Sequence, residues 1–129
     1  MKLFNTLKTL IVESADRAEV CDAINGRNVV NIYYSGDMTL HPGNRTIEPV
    51  AAGETKLKGN QRGNPVVRAW QTAGATDRPE KTPGWKFFRL DRISNWDPLI
   101  DTFDEPRPNF NPTGDKSMYN DTPWCIAKF

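Results

Sequence analysis

The chain has few of the residues that enzymes most often place at a reacting centre. Among its 129 residues there is one histidine, His41, and there are two cysteines. His41 precedes a proline in the turn-forming stretch HPGN, which is more typical of a surface loop than of a general base. GxSxG, HExxH and the glycine-rich phosphate loop are all absent. We therefore expect no enzymatic activity, no catalytic residue and no cofactor.

The sequence is equally short of features that indicate metal binding, secretion or membrane insertion. Cys21 and Cys125 lie far apart and have no CxxC spacing, so the pattern favours neither a disulfide framework nor a metal site, and we expect reduced thiols. The amino-terminal run MKLFNTLKTLIV is interrupted by polar residues, and no segment approaches the length that a membrane span needs. These absences predict a cytoplasmic protein without a membrane partner.

Charge is nearly balanced overall but unevenly distributed. The formal net charge is +1, which argues against a polycation that wraps long duplex DNA. Residues 55–92, however, contain nine basic and three acidic residues, a local balance of +6, and leave −5 for the rest. This segregation predicts one electropositive surface on an otherwise acidic protein.

Hydrophobic periodicity predicts a mainly β protein behind one or two short helices. Apolar residues at helical spacing indicate helices over residues 2–12 and 15–25, the second capped by Ser14 and ended by Gly26. Strands are expected in four β-branched or aromatic stretches, at residues 29–34, 45–50, 65–72 and 84–93. A glycine and lysine loop is expected up to residue 64, and a longer hairpin loop over residues 73–84.

The last third of the chain has a different texture. Ten prolines and nine glycines favour short strands and turns, and five of the prolines follow Asn95. That stretch keeps aromatic anchors, so we expect ordered coil that wraps the sheet, with a final strand near residues 123–128. The expected organisation is one domain: helical residues 1–25, a small β-barrel over 26–96 and a packed extension over 97–129.

The most informative stretch is GWKFFRLDRI, residues 84–93. Strand alternation places Phe88 and Leu90 on one face, and Trp85, Phe87 and Arg89 on the other. Alternation in PVVRAW likewise places Arg68 and Trp70 together. An antiparallel hairpin would bring these rings and guanidinium groups onto one surface, where a planar anion could stack and pair. Alternatively, the charges form an ion-pair ladder and the rings pack under the proline-rich extension.

Four stretches in order, INGRNVVNIYYSGD, GNRTIEPVAAG, PVVRAWQT and GWKFFRLDRI, resemble the WYL domain family. FRLDRI is the most specific match, whereas the Trp-Tyr-Leu tripeptide itself is replaced by VVRAW. The resemblance implies an Sm-like (Src-homology-3-type) small β-barrel that senses ligands in prokaryotic transcription factors and defence-linked proteins. The first 25 residues are expected to be too short for the winged helix-turn-helix that normally precedes such a domain.

Alternation and the resemblance together nominate eight ligand-binding residues and no metal ligand. They are Tyr33, Arg45, Arg68, Trp70, Trp85, Phe87, Arg89 and Arg92. The expected function is that of a regulatory module for a nucleotide or a short single-stranded DNA or RNA. The alternative is a small phage or mobile-element protein that binds a host regulatory or defence protein, and a homo-oligomer stays open.

Overall fold

A computed structural model describes residues 15–36, 39–57, 61–113, 118 and 123–129. The described chain is mainly β, as the sequence predicts. Its regular elements in order are helix α1 (Arg17–Gly26), β1 (Asn28–Tyr34), β2 (Gly43–Leu57), β3 (Gln61–Gly74), a 3-10 turn (Pro79–Lys81), β4 (Gly84–Arg89), a second 3-10 turn (Leu90–Arg92), β5 (Ile93–Thr102) and β6 (Cys125–Ile126). The helix predicted over residues 2–12 lies outside the described residues.

Helix α1 confirms the second predicted helix, but both of its ends differ from the prediction. Asp16, rather than Ser14, is the N-cap: its carboxylate accepts a hydrogen bond from the backbone N–H of Glu19, whose own carboxylate accepts one from the backbone of Asp16. This reciprocal capping box satisfies two N–H groups that a helix start leaves unpaired. The left-handed residue at the other end is Arg27, with φ 52°, and Gly26 is still helical.

The strands form an antiparallel sheet in the order β4-β3-β2-β1-β5, and β6 adds to β2. Among the described residues β4 and β5 do not pair with each other, so this sheet is open, in contrast to the closed barrel that the sequence predicts. β2 and β3 are much longer than expected. The predicted glycine and lysine loop is wrong for residues 51–57 and 61–64, which extend the β2–β3 ladder; Glu54 pairs with Pro65 and Leu57 with Gln61.

The prediction of coil after Asn95 is also wrong. Residues 93–102 form β5, which pairs antiparallel with β1 and places Trp96 opposite Ile32 and Pro98 opposite Val30. Pro98 obscured this strand because proline cannot donate to a ladder, yet a strand at the edge of a sheet tolerates it. The final strand near residue 125 is confirmed: β6 pairs with Ala51 and Ala52 of β2.

The core lies between the inner face of the sheet and helix α1. Phe88 and Leu90 point inward and are buried, as strand alternation predicts for their parity. Val30, Ile32 and Ile47 of β1 and β2 are fully buried in the same cluster. α1 contributes Val20, Ala23 and Ile24, so the helix covers the sheet with its apolar side. The side chains on the other face of β3 and β4 point outward and are available for contacts outside this core.

The two cysteines form a disulfide, which corrects the expectation of reduced thiols. Cys21 lies on α1 and Cys125 on β6, with Cα atoms 5.7 Å apart. The pairing was hidden because 104 residues separate the cysteines in sequence and only the docking of β6 beside the helix brings them together. No helix within the described ranges is long and apolar enough to cross a membrane.

Reduction of Cys21–Cys125 should destabilise the protein. A cross-link that closes a loop of this size lowers the entropy of the unfolded chain and contributes about 4.7 kcal/mol in the chain-entropy model. Urea unfolding followed by tryptophan fluorescence, with and without a reductant, measures the difference. The Cys21→Ser/Cys125→Ser double variant should show no response to reductant. Two titratable thiols in the folded, non-reduced protein would contradict the pairing.

Asp16→Ala should cost about 1 kcal/mol of unfolding free energy, because it removes the carboxylate that accepts a hydrogen bond from the backbone N–H of Glu19. Asp22→Ala provides the matched control: it removes the same charge from an exposed position of α1 and should change stability by less than about 0.5 kcal/mol. Both values come from denaturant midpoints. Equal effects of the two substitutions would show that the capping box does not stabilise the helix.

Candidate nucleic-acid or ligand surface

Two antiparallel strands build the surface that the sequence singles out. β3 and β4 pair so that Arg68 lies opposite Phe87 and Trp70 opposite Trp85. Residues opposite each other in an antiparallel ladder share a face, so all four side chains point outward, away from the core. We call these four residues the aromatic face. The predicted hairpin, and the meeting of Arg68 and Trp70 with the rings of β4, are confirmed.

The aromatic face is internally packed as well as partly exposed. The rings of Trp70 and Trp85 meet edge to face with centroids 5.4 Å apart. The guanidinium carbon of Arg68 lies 4.6 Å from the ring centroid of Phe87 and 5.5 Å from that of Trp85. Both distances are within the range of cation–π attraction. The face therefore presents a delocalised cation held flat against aromatic rings.

A segment that follows β5 lies against one side of this face. We call residues 104–111 the strap. The indole Nε1 of Trp85 donates a hydrogen bond of 2.7 Å to the carbonyl oxygen of Pro108. The guanidinium of Arg107 lies 5.6 Å from the ring centroid of Trp70. The sequence-based alternative, in which Trp85 and Phe87 pack under the proline-rich extension, thus holds for Trp85, and Trp70 also contacts the strap.

An ion pair fixes the strap to β2. Nε and Nη2 of Arg107 donate to the two carboxylate oxygens of Glu48, each at 2.9 Å. These hydrogen bonds raise the pKa of Arg107 above its ordinary value. The Glu48 side chain is only 9% exposed, so its carboxylate needs such a partner. A bidentate guanidinium–carboxylate pair of this geometry is among the stronger polar contacts in proteins.

A recess lies between the strap and the aromatic face. Its lining comprises Val50, Ala51, Arg68, Trp85, Asn109, Phe110 and Asn111. Its volume of about 30 Å³ is enough for roughly one water molecule. An arginine, a tryptophan and two asparagines are among its lining residues, and these residue types are able to contact a nucleobase and its phosphate. Entry of such a ligand requires the strap to move away from the sheet.

A larger groove of about 540 Å³ is also lined by strap residues. It is bordered by Glu48, Thr102, Phe103, Asp104, Glu105, Pro106, Arg107 and Pro108. Three of these are acidic, whereas the only base, Arg107, is already paired with Glu48. Like charges repel, so this groove is unsuited to phosphate. The recess beside Arg68 is the better candidate for an anionic ligand.

Arg89 shares the outward parity of β4 but is engaged by a neighbour. Its guanidinium forms a bidentate pair with Asp91, in which Nε donates to Oδ1 at 3.0 Å and Nη2 donates to Oδ2. The hydrogen bonds from Arg89 lower the pKa of Asp91. The backbone N–H of Arg89 donates to the hydroxyl of Tyr34. The ion-pair alternative considered from the sequence therefore describes Arg89.

Arg45 lies on the core side rather than on the aromatic face. It is 5% exposed, and its guanidinium carbon is 5.0 Å from the ring centroid of Tyr34. Nη2 donates to the carbonyl oxygen of His41 and is 3.9 Å from a carboxylate oxygen of Asp77. Burial lowers the pKa of Arg45, and Asp77 opposes that shift. These contacts give Arg45 a role in joining two loops at one end of the sheet.

Tyr33 and Arg92 are also apart from the aromatic face. Tyr33 is exposed on β1, which is separated from β3 by the whole of β2. Arg92 belongs to the second 3-10 turn, and its side chain lies directly over Gly36. Of the eight nominated residues, the structure thus gathers Arg68, Trp70, Trp85 and Phe87. Arg89 shares their outward parity but is paired with Asp91, and Tyr33, Arg45 and Arg92 lie elsewhere.

Sequence reasoning missed the groups that contact this cluster. Glu48, Arg107 and Pro108 hold the strap, and Asn109 and Asn111 line the recess. The available signal was the tripeptide Pro106–Pro108, an arginine between two prolines, in a chain with two tryptophans on neighbouring strands. Among the residues that the structure describes, no three His, Cys, Asp or Glu side chains form a group that could hold a metal ion.

Comparison with known proteins gives one informative likeness. No family model and no curated protein matches the chain. Among solved structures, proteasome accessory factor B/C (PafBC) of Arthrobacter aurescens is similar with a TM-score of 0.54 and 21% identity. The alignment covers 78% of this chain and 14% of PafBC, so the chain spans a small part of that protein's length. The likeness shows a shared fold.

Proposed function

We propose that this chain is a regulatory ligand-binding module of the WYL type, acting by binding rather than by catalysis. The strand order β4-β3-β2-β1-β5 and the 3-10 turn between β4 and β5 support an Sm-like arrangement of strands, whose sheet is open between β4 and β5 in the part of the chain that the structure describes. The fold likeness to PafBC supports a regulatory setting. Fold alone does not define a ligand, which has to be argued from the surface.

We propose a nucleotide or a short single-stranded nucleic acid as the ligand. The observation that carries this proposal is the guanidinium of Arg68 stacked on Phe87 and Trp85 at the edge of the recess. Aromatic rings are able to stack with a base, and a guanidinium is able to pair with a phosphate. Asn109 and Asn111 also line the recess, and the carboxamide oxygen of Asn111 already accepts hydrogen bonds from the backbone N–H and the hydroxyl of Thr113.

Access to the recess requires displacement of part of the strap. Between residues 104 and 111, the backbone hydrogen bond found among described residues is local, from the N–H of Phe110 to the carbonyl of Arg107. Side-chain contacts and the Trp85 indole hold the remainder. Such contacts break one at a time, without loss of a sheet ladder. Stacking contributes roughly 1 to 3 kcal/mol per base, which offsets one or two of them.

Arg68→Ala should weaken binding of a short single-stranded oligonucleotide at least about tenfold, because a charge-assisted contact contributes about 1.5 to 3 kcal/mol. Fluorescence of Trp85 and Trp70 during titration with short DNA, short RNA and mononucleotides, at two salt concentrations, measures the affinity. Binding to the unaltered protein should weaken as salt rises, since phosphate contacts release counterions.

Arg78→Ala is the matched control for this experiment. Arg78 is exposed on the β3–β4 connection beside Glu80, so its loss removes the same charge at a distance from the recess. Its effect on affinity should be less than about twofold. Equal losses in the two variants would reduce the interaction to net charge. No binding of any oligonucleotide or nucleotide at low salt would reject the nucleic-acid ligand.

A further inference from the structure

The strap is bound to the sheet as a peptide ligand would be, across a row of three outward side chains. Ladder pairing places Glu48 of β2 opposite Trp70 of β3, and Trp70 opposite Trp85 of β4. These three residues, which we call the docking row, therefore lie side by side on three successive strands. Arg107 contacts the first two, and Pro108 contacts the third.

Each member of the docking row recognises a different feature of the strap. The carboxylate of Glu48 selects a guanidinium through two parallel hydrogen bonds. The ring of Trp70 contacts the same guanidinium, whose carbon lies 5.6 Å from the ring centroid. The indole N–H of Trp85 takes a main-chain carbonyl, and the residue that supplies it is a proline. The row thus reads an arginine side chain and the main-chain carbonyl of the residue that follows it.

The strap sequence is preorganised for this contact. Glu105 and Arg107 each precede a proline, which restricts both to extended backbone. A turn follows, closed by the hydrogen bond from the N–H of Phe110 to Arg107, with Pro108 and Asn109 at its centre. Asn109 has φ 68°, which asparagine tolerates better than most residues. A segment that is stiff before it binds loses little entropy when it docks.

We infer that the docking row is a recognition surface for proline-rich, arginine-containing peptides, and that the strap occupies it in cis. An aromatic surface that meets an extended proline-rich segment and reads one carbonyl through an indole N–H is a recurring mode of peptide recognition. The partner is a protein with an exposed Pro-Arg-Pro segment, which replaces the strap. This inference is independent of the nucleic-acid proposal, since it uses Glu48 and the Trp85 N–H rather than Arg68.

Tethering explains why the unaltered protein should bind such a partner weakly. The strap follows directly from β5, and after it the chain is fixed again by β6 and the Cys21–Cys125 disulfide. A segment tethered at both ends competes at an effective concentration on the order of millimolar. A peptide in solution therefore needs a similar concentration to displace the strap, or a protein whose strap is weakened.

The test uses the nine-residue peptide DEPRPNFNP, which has the sequence of residues 104–112. It is titrated into the Arg107→Ala protein, with tryptophan fluorescence and the indole N–H resonance of Trp85 as readouts. Saturable binding is expected, at least tenfold tighter than to the unaltered protein. The peptide DEPAPNFNP, which lacks the arginine, should bind at least tenfold more weakly than DEPRPNFNP.

Two further substitutions in the Arg107→Ala background locate the site. Glu48→Gln should weaken binding of DEPRPNFNP at least tenfold, because the neutral amide cannot form the charged pair. Glu54→Gln makes the same change at another position of β2 and should leave the affinity unchanged. Arg78→Ala, which removes a charge outside both the docking row and the recess, should also leave peptide binding unchanged.

The unaltered protein supplies a second measurement, which does not depend on folding of the Arg107→Ala variant. At millimolar DEPRPNFNP its Trp85 indole N–H resonance should shift progressively, and DEPAPNFNP should leave it in place. An unshifted resonance at that concentration would overturn the inference. So would equal affinity for the two peptides, or a folded Arg107→Ala protein that binds neither of them.

Discussion

Pairing along β2 is the constraint on which the rest of the molecule depends. This strand, Gly43–Leu57, pairs with β1, β3 and β6, and seven consecutive residues from Ile47 to Gly53 are buried. A strand with one solvent-exposed face would alternate between buried and exposed positions. Burial on both sides means that the core covers one face of β2, while the carboxy-terminal part of the chain covers the other.

The position of Glu48 follows from this arrangement. Strand alternation directs Glu48 outward, beside Trp70, where coverage by the strap removes its carboxylate from water. A buried carboxylate without a partner is costly, and Arg107 supplies two hydrogen bonds. The same pair fixes where the strap crosses the sheet, and thereby leaves Arg68 and Trp85 at the edge of the recess. The Glu48–Arg107 ion pair thus lies within the docking row, and the proposed nucleic-acid site lies beside it.

The two proposed activities use one surface in different ways. The docking row reads a guanidinium with a carboxylate, whereas the recess presents the guanidinium of Arg68 to an anion. Both involve Trp85, whose indole N–H serves the strap and whose ring lies beside Arg68. A ligand that moves the strap to enter the recess would therefore also loosen the docking row. Linkage between two sites requires such a shared element with two arrangements.

Local patterns in the sequence predicted what depends on neighbouring residues alone. The alternation in GWKFFRLDRI separated Phe88 and Leu90 of the core from Trp85 and Phe87 of the outer face, because strand geometry fixes the side of each residue. The same reasoning placed α1 and the β3–β4 hairpin. It failed at β5, because Pro98 and scattered polar residues obscure the strand pattern. The strand forms by pairing with β1, which is far away in the sequence.

Contacts between residues far apart in sequence were decided only by the tertiary structure. Cys21 meets Cys125, and Arg107 meets Glu48, because β6 and the strap return to the sheet after long excursions. No local preference encodes such meetings, since they depend on where whole elements dock. The sequence by itself determined which side chains face outward on each predicted strand. The fold decided which of those side chains are covered, which are paired, and which line the recess beside the strap.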